Sequence, residues 1–171
     1  VIYLYQGALC IGRGIELLLE LFEQIGDDGS VFVCMGYGEL EDRIKSASVR
    51  CPHIHYFPAV SPSRVLEYTM SADVGFVLTG IDDQQCLNNQ YCLPNKLFEY
   101  AMAGVPVICS PMREMTSLVE QYGIGVVLKD TTAGSVRRAI REIFAIGAAN
   151  LKERLAIFSQ TFSWETQQLT M

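Results

Sequence analysis

No cluster of lysines and arginines runs along this sequence far enough to track a phosphate backbone, and the formal net charge of -6 at pH 7 disfavours nucleic acid as a partner. An anionic ligand would have to be held locally. No Cys-x-x-Cys pair occurs among the six cysteines, Cys10, Cys34, Cys51, Cys86, Cys92 and Cys109. Most lie in apolar runs where a free thiol behaves as a small hydrophobe, which argues against a zinc site and for a reducing cytoplasm. No apolar run approaches the roughly 18 residues that cross a bilayer, and the opening VIYLYQG has neither the charged n-region nor the cleavage site of a signal peptide. An initiator methionine is missing too, so a chain that begins directly in a β-rich run reads as a domain taken from a longer protein. Internal repeats, low-complexity tracts and Pro/Gly/Ser-rich linkers are absent as well.

What is present is the composition of a packed globular domain: 171 residues, half of them hydrophobic and 19% charged. That length suits a single domain over residues 1–171 and is short for two. Runs rich in Val, Ile, Phe and Tyr predict strands over Val1–Tyr5, Val31–Met35, His53–Phe57, Val74–Leu78, Val105–Cys109 and Gly125–Leu128. Helical periodicity appears between them at Ile15–Ile25, Leu40–Ser48, Pro62–Met70 with Ser61 as N-cap, Asn95–Ala103 and Val136–Ile146. The one long irregular stretch is Thr79–Pro94. Strands and helices that alternate, with nearly continuous apolar strands, imply an α/β fold: a doubly wound, Rossmann-like parallel sheet covered on both faces. Ligands of such sheets bind beyond the carboxyl ends of the strands, so the strand-to-helix turns are where chemistry should lie.

The first such turn, GALCIGRG from Gly7 to Gly14, approaches the phosphate-binding pattern G-x-x-x-x-G-K-[ST] and breaks it at the end, with Arg13 for lysine and Gly14 for the hydroxyl residue. A glycine turn with exposed amides and a guanidinium remains, chemistry suited to a diphosphate, although a plain turn with a solvated Arg13 explains the segment at least as well. The second turn, MGYGELEDRIK, lacks the third glycine of a dinucleotide fingerprint and needs no ligand. In LPNKLFEYAMAGVPVIC, Leu93 to Cys109, the predicted helix has Asn95 as N-cap or first-turn residue, Leu97, Phe98, Ala101 and Met102 on a buried face, and Lys96 and Glu99 three apart on another. Its N-terminus and Lys96 would favour an anion, and Glu99 could accept hydrogen bonds from vicinal sugar hydroxyls. By pattern alone an ordinary i,i+3 surface pair accounts for these two charges equally well. His53 and His55, Asp82 and Asp83, and Ser110 without a Gly-x-Ser-x-Gly elbow give no convincing metal or nucleophile site.

Taken in order, YQGALCIGRGIELLLELF, VFVCMGYGELEDRIK, HIHYFPAVSPSRVLEYTMSADVGFVL, LPNKLFEYAMAGVPVICS, EQYGIGVVLKD and FSWE resemble the C-terminal, donor-binding domain of a GT-B glycosyltransferase, closest to the large retaining family 4 of group 1 enzymes. The resemblance spans nearly the whole chain. It implies that the helix Asn95–Ala103 aims its N-terminus at the diphosphate of a nucleotide-sugar, that Glu99 binds the ribose hydroxyls, and that Arg13 pairs with the diphosphate. Tyr37, Ala59 and Val60 match positions flanking the base, and the implied donor site further takes in Gly7, Gly12, Gly14, Tyr91, Asn95 and Leu97. Two departures matter. Tyr91 stands where the first glutamate of a Glu-x7-Glu pair would contact the donor sugar, and Ala8 stands where many members carry a second diphosphate-binding arginine, a charge for which Lys96 compensates.

The activity implied is retaining transfer of a glycosyl (hexosyl) group, as in polysaccharide biosynthesis, from a nucleotide diphosphate sugar to an acceptor hydroxyl, with no metal and no cofactor beyond the donor. The saccharide or lipid-linked acceptor would be held by an N-terminal domain outside this sequence, leaving the chain alone inactive. The expected location is the cytoplasm, with membrane contact through that other half. Two alternatives stand beside this: a sugar-nucleotide epimerase of the same architecture, and a nucleotide-binding or interaction domain without catalysis.

Overall fold

A computed structural model describes residues 1–25, 29–80 and 86–168. Six strands, β1 (Ile2–Ala8), β2 (Val31–Tyr37), β3 (Ile54–Pro58), β4 (Val74–Val77), β5 (Val107–Cys109) and β6 (Gly125–Val127), form one sheet in the order β3-β2-β1-β4-β5-β6. Every recorded pairing is parallel. This is the doubly wound, Rossmann-like order, which reverses direction between β1 and β4. Helices α1 (Ile15–Ile25), α2 (Glu41–Arg50) and α7 (Ala133–Ile146) adjoin in one layer, while α3 (Val65–Thr69), α5 (Asn95–Met102) and α8 (Ala148–Thr161) adjoin in the other. A 3-10 turn at Pro62–Arg64 leads into α3; α4 (Leu87–Tyr91), α6 (Arg113–Tyr122) and α9 (Trp164–Gln167) complete the described helices.

The elements differ from expectation for identifiable reasons. β1 and β2 run on to Ala8 and Tyr37, through Gln6, Gly7 and Gly36, because the ladder between them continues in register past the apolar run. β5 begins at Val107, after Pro106, which has no N–H to give. α7 starts three residues early, at Ala133, since the Thr132 hydroxyl caps the Ser135 amide. Ser61 opens the 3-10 turn without a side-chain cap, its hydroxyl facing that of Ser63. The region Thr79–Pro94 is not wholly irregular, because α4 occupies Leu87–Tyr91. Helices α6 and α8 were not expected at all: their apolar residues are interleaved with polar ones.

The topological switch is also a physical gap. β1 meets β4 only at Tyr3–Val74 and Leu4–Gly75, yet stays paired with β2 as far as Ala8. Beyond Leu4 the strands part, and the buried backbone left on β1 needs a new partner. Tyr100 of α5 supplies it: its hydroxyl accepts from the Gln6 amide at 3.0 Å and donates to the Leu4 carbonyl at 2.9 Å. The ring reaches that position because residue 75 is glycine, where a β-carbon would lie 2.5 Å from it. The inward face of α5 is accordingly Leu97, Tyr100 and Ala101, the i, i+3, i+4 set, whereas Phe98 is half-buried and Met102 exposed, a correction to the face expected from the sequence.

Among the described residues no helix is long and apolar enough to cross a membrane. Replacing Tyr100 with Phe strands a buried amide and a buried carbonyl at the centre of the sheet, so denaturant unfolding of Tyr100→Phe should show a loss of about 2 kcal/mol. A loss below about 0.5 kcal/mol would mean that neither backbone group depends on the phenol.

Candidate functional site

The crevice opened by the parting of β1 and β4 lies at the carboxyl end of the sheet, where three chain segments converge. The first is the turn from β1 to α1. Gly12 and Gly14 take left-handed conformations there (φ 77° and 72°), and a side chain at Gly14 would meet Leu78 at 2.7 Å. The turn offers fewer free amides than its sequence suggested. The Leu9 amide donates to the Tyr37 carbonyl at 2.8 Å, and the Ile11 amide to Glu39 Oε1 at 2.9 Å. In the second turn the Gly38 amide is likewise taken, by Glu41 Oε1. That bond comes first among the causes that hold the Glu41 carboxyl below the usual range, followed by contacts from Lys45 and Tyr56.

Arg13 is aimed rather than solvated. Its Nη1 donates to Thr79 Oγ1 at 2.7 Å, and the Thr79 amide is in turn bonded to the hydroxyl of buried Ser110 at 3.0 Å. Two strand ends therefore brace the guanidinium. From α5, Lys96 places its Nζ 3.9 Å from the centre of the buried Tyr5 ring, beside the backbone of Gly7. The residue is half-buried, and burial of its ammonium first, then the neighbouring Arg13, lowers its pKa to about 7. Glu99 turns the other way and accepts from Gln6 Nε2 at 2.6 Å. None of the described ion pairs joins Lys96 to Glu99, so the two charges are not the i,i+3 surface pair that spacing alone allows: each reaches across to β1.

Glu99 borders a cleft of ≈ 190 Å³ whose walls include Gln6, Gly7, Tyr37, Ala59 and Val60. Five residues expected at the site thus meet around one cavity: Gly7, Tyr37, Ala59, Val60 and Glu99. Arg13 and Lys96 stand close enough to repel each other beside it. Asn95 is exposed in the first turn of α5, whose N-cap position belongs to Pro94 and not to Asn95. Leu97 is a correction: its side chain is fully buried in the core and its amide is bonded to the Pro94 carbonyl, so it anchors α5 and offers a ligand nothing directly. Tyr91 is exposed and held elsewhere, its hydroxyl accepting from Arg113 Nη1 at 2.8 Å.

His53 is buried with Nε2 against the Phe22 carbonyl while His55 is exposed, and among the described residues no three His, Cys, Asp or Glu side chains gather as a metal site. Asp82 and Asp83 lie outside the described residues. A larger cavity of ≈ 770 Å³ between α6, β6 and α7, bordered by Arg113, Glu120, Lys129, Arg138 and Glu142, contains none of the expected site residues. It lies at the edge strand β6, away from the switch point, and the site is better placed by geometry than by size. Sequence reasoning missed Gln6, Thr79 and Arg113. Only Gln6 carried a signal, as a polar residue closing an apolar strand.

Residues 1–145 match the family described as glycosyl transferases group 1. No curated protein matches the sequence. Among solved structures, Anabaena HepE in complex with UDP-glucose is similar at 14% identity and a TM-score of 0.76, over 99% of this chain and 47% of that one. Sucrose-phosphate synthase from Thermosynechococcus elongatus is similar at 20% identity and a TM-score of 0.73, over 99% of this chain and 43% of that one. The catalytic domain of cholesterol-alpha-glucosyltransferase from Helicobacter pylori is similar at 12% identity and a TM-score of 0.69, over 95% of this chain and 98% of that one. At these identities the likeness establishes the fold, and this chain spans less than half the length of HepE and of the synthase. The family match takes in most of the sequence, and the protein belongs to the glycosyl transferases group 1.

Proposed function

We propose that this chain is the C-terminal, donor-binding half of a retaining GT-B glycosyltransferase of family 4, which moves a hexosyl group from a nucleotide diphosphate sugar to an acceptor hydroxyl. The observation that carries the reading is the pairing of two like charges, Arg13 and Lys96, at the switch-point crevice beside a carboxylate held apart from both. Cations kept together against their repulsion suit an anion between them, and a diphosphate is the anion that a nucleotide-sugar supplies.

In this reading the base lies against Tyr37 and the Ala59–Val60 wall, the ribose hydroxyls donate to Glu99, and the diphosphate sits over Gly7 and the turn carrying Gly12 and Gly14. As the bond from the anomeric carbon to the diphosphate oxygen breaks, negative charge grows on the leaving group. Arg13, protonated Lys96 and the first-turn amides of α5 stabilise it, without a metal. The acceptor, a saccharide or lipid-linked sugar, is held by a preceding domain that also makes any membrane contact, so the chain alone binds donor weakly and turns it over negligibly. A second reading, a nucleotide-binding domain without transfer chemistry, draws on Tyr91, which stands in the place of a donor-sugar glutamate and is engaged by Arg113. Donor binding without turnover in the full-length protein would favour it.

Calorimetric titration with UDP and GDP should give binding of one nucleotide, weakened by more than about 1 kcal/mol, or roughly fivefold, in both Arg13→Ala and Glu99→Ala. No binding of either by the folded chain would return these residues to a structural role. The pH dependence follows from Lys96. Its pKa of about 7 in the free protein would rise on binding a diphosphate, which favours the ammonium form. Above about pH 7, binding then takes up a proton, and UDP affinity should fall with rising pH by up to about tenfold per unit; the terminal phosphate, with a pKa of ~6, adds nothing there. Below pH 7 the amine is already charged and the dependence on Lys96 fades. Lys96→Arg should flatten the profile, whereas a flat profile in the unaltered protein would place Lys96 outside the diphosphate's field.

A further inference from the structure

Gln6 is an anomaly of the fold. It is a polar side chain, 1% exposed, in the central strand of a parallel sheet, and burial of an amide costs free energy unless each end finds a partner. Both ends do. Nε2 donates to Glu99 Oε2 at 2.6 Å, and Oε1 accepts from the fully buried Thr69 hydroxyl at 2.7 Å. An ionised carboxylate only accepts, so Nε2 must face Glu99 and Oε1 must face Thr69; the amide cannot be reversed without setting oxygen against oxygen. The Thr69 hydroxyl also lies 2.8 Å from the Val65 carbonyl within α3, which keeps it in place. Below the side chain, the Gln6 amide is fixed to Tyr100. Every polar atom that could let this side chain swing is therefore engaged by α3 or α5.

We propose that Gln6 is a positioning residue of the donor site: it holds one oxygen of Glu99 so that the other faces the cleft, and thereby makes the site select a ribose over a 2′-deoxyribose. The inference rests on the nucleotide-binding reading above. Glu99 Oε1 has no hydrogen-bond partner among the described residues, and the carboxylate borders the ≈ 190 Å³ cleft together with Gln6 itself. Without the bond from Gln6, Glu99 is free to turn toward Lys96, three residues back on the same helix. Such a pair would remove the ribose acceptor and neutralise a cation in one movement. Thr69 and Gln6 thus keep the acidic and the basic part of the site separate.

The test compares UDP, 2′-deoxy-UDP and inorganic pyrophosphate by calorimetry, with GDP and its deoxy form substituted if GDP is the nucleotide bound. Gln6→Leu removes both ends of the amide; Gln6→Met keeps the length and removes the donor to Glu99 without adding an acid. Thermal unfolding checks that each variant is folded. In both, UDP should lose about tenfold more affinity than 2′-deoxy-UDP, so that the preference for the ribonucleotide collapses toward one. Pyrophosphate should bind more weakly too, because the released Glu99 neutralises Lys96. In a Glu99→Ala background, Gln6→Met should cause no further loss of preference. A folded Gln6→Met protein that retains the preference overturns the positioning role while leaving the nucleotide reading intact. Failure of the unaltered protein to bind either nucleotide overturns both.

Discussion

The parting of β1 from β4 is the constraint on which the rest of the molecule turns. A parallel sheet whose order reverses must leave backbone groups unpaired at the reversal, and here they are the Leu4 carbonyl and the Gln6 amide. Water could satisfy them only by entering the core, so a side chain must. Tyr100 does so from α5, through a space that Gly75 leaves over the sheet. Once Tyr100 is seated, the rest of α5 is indexed by helical geometry: Leu97 and Ala101 enter the core, Glu99 falls beside Gln6, and Lys96 is delivered over Tyr5 and Gly7. The contact that closes the sheet and the contacts that build the crevice are made by neighbouring residues of one helix. Stability and site geometry are therefore coupled at this point more tightly than anywhere else described.

Electrostatics sets this crevice apart from the surface around it. On α1, α2, α3 and the 3-10 turn before it, the recorded pairs are Arg43 with Glu16, Lys45 with Glu41, Arg50 with Glu23 and Arg64 with Glu67. Such exposed pairs contribute little each, ~0–1 kcal/mol, and are routine. Lys96 has an acid three residues away and does not use it. Instead the acid is claimed by a buried amide and the amine is sunk against an aromatic face close to a guanidinium, an arrangement that lowers its affinity for protons. A chain selected only for folding has no reason to bury an amine next to another cation while holding its natural counterion away. The arrangement costs stability below pH 7, where Lys96 would be charged, and relaxes as pH rises from about 7 toward the ~10.4 of an exposed lysine.

Much of this was legible in the sequence, and the reasons it was not all legible are local. Five strands are centred where apolar runs place them, and α1 matches its periodicity residue for residue, because continuous apolar runs and a clean 3.6 period are strong signals. The strand ends at Gln6–Ala8 and Gly36–Tyr37 were hidden, since pairing carried through residues with low strand propensity. The face of α5 was misread by one residue, with Met102 taken for a core residue in place of Tyr100: a tyrosine looks amphipathic in a sequence, and its buried hydroxyl became useful only because two backbone groups of a distant strand needed it. Leu97 shows the converse, a position that a family motif attaches to the site and that packing assigns to the core. Arg13, Lys96 and Glu99 stand out by residue type, and only the family resemblance gives them roles; their separation into a cationic and an acidic part depends on Gln6 and Thr69, 63 residues apart, which no spacing rule connects.

The size of the Glu99 cleft bears on how such a domain can act. At ≈ 190 Å³ it is smaller than the ~300–1,000 Å³ typical of sites that enclose a whole small molecule. Under the proposed reading it takes the base and ribose, the diphosphate passes out over Gly7 toward Arg13 and Lys96, and the sugar emerges at the open mouth of the sheet. There Ile11 and Tyr37 are exposed. A glycosyl group at that point is reachable by water, and transfer to a chosen hydroxyl requires water to be excluded. Under the proposed reading, the crevice therefore supplies recognition and leaving-group stabilisation, and the selectivity of transfer arises only when a second surface closes over these exposed side chains. This division assigns the base, ribose and diphosphate to the residues described, and leaves the sugar and acceptor to the interface they help to form.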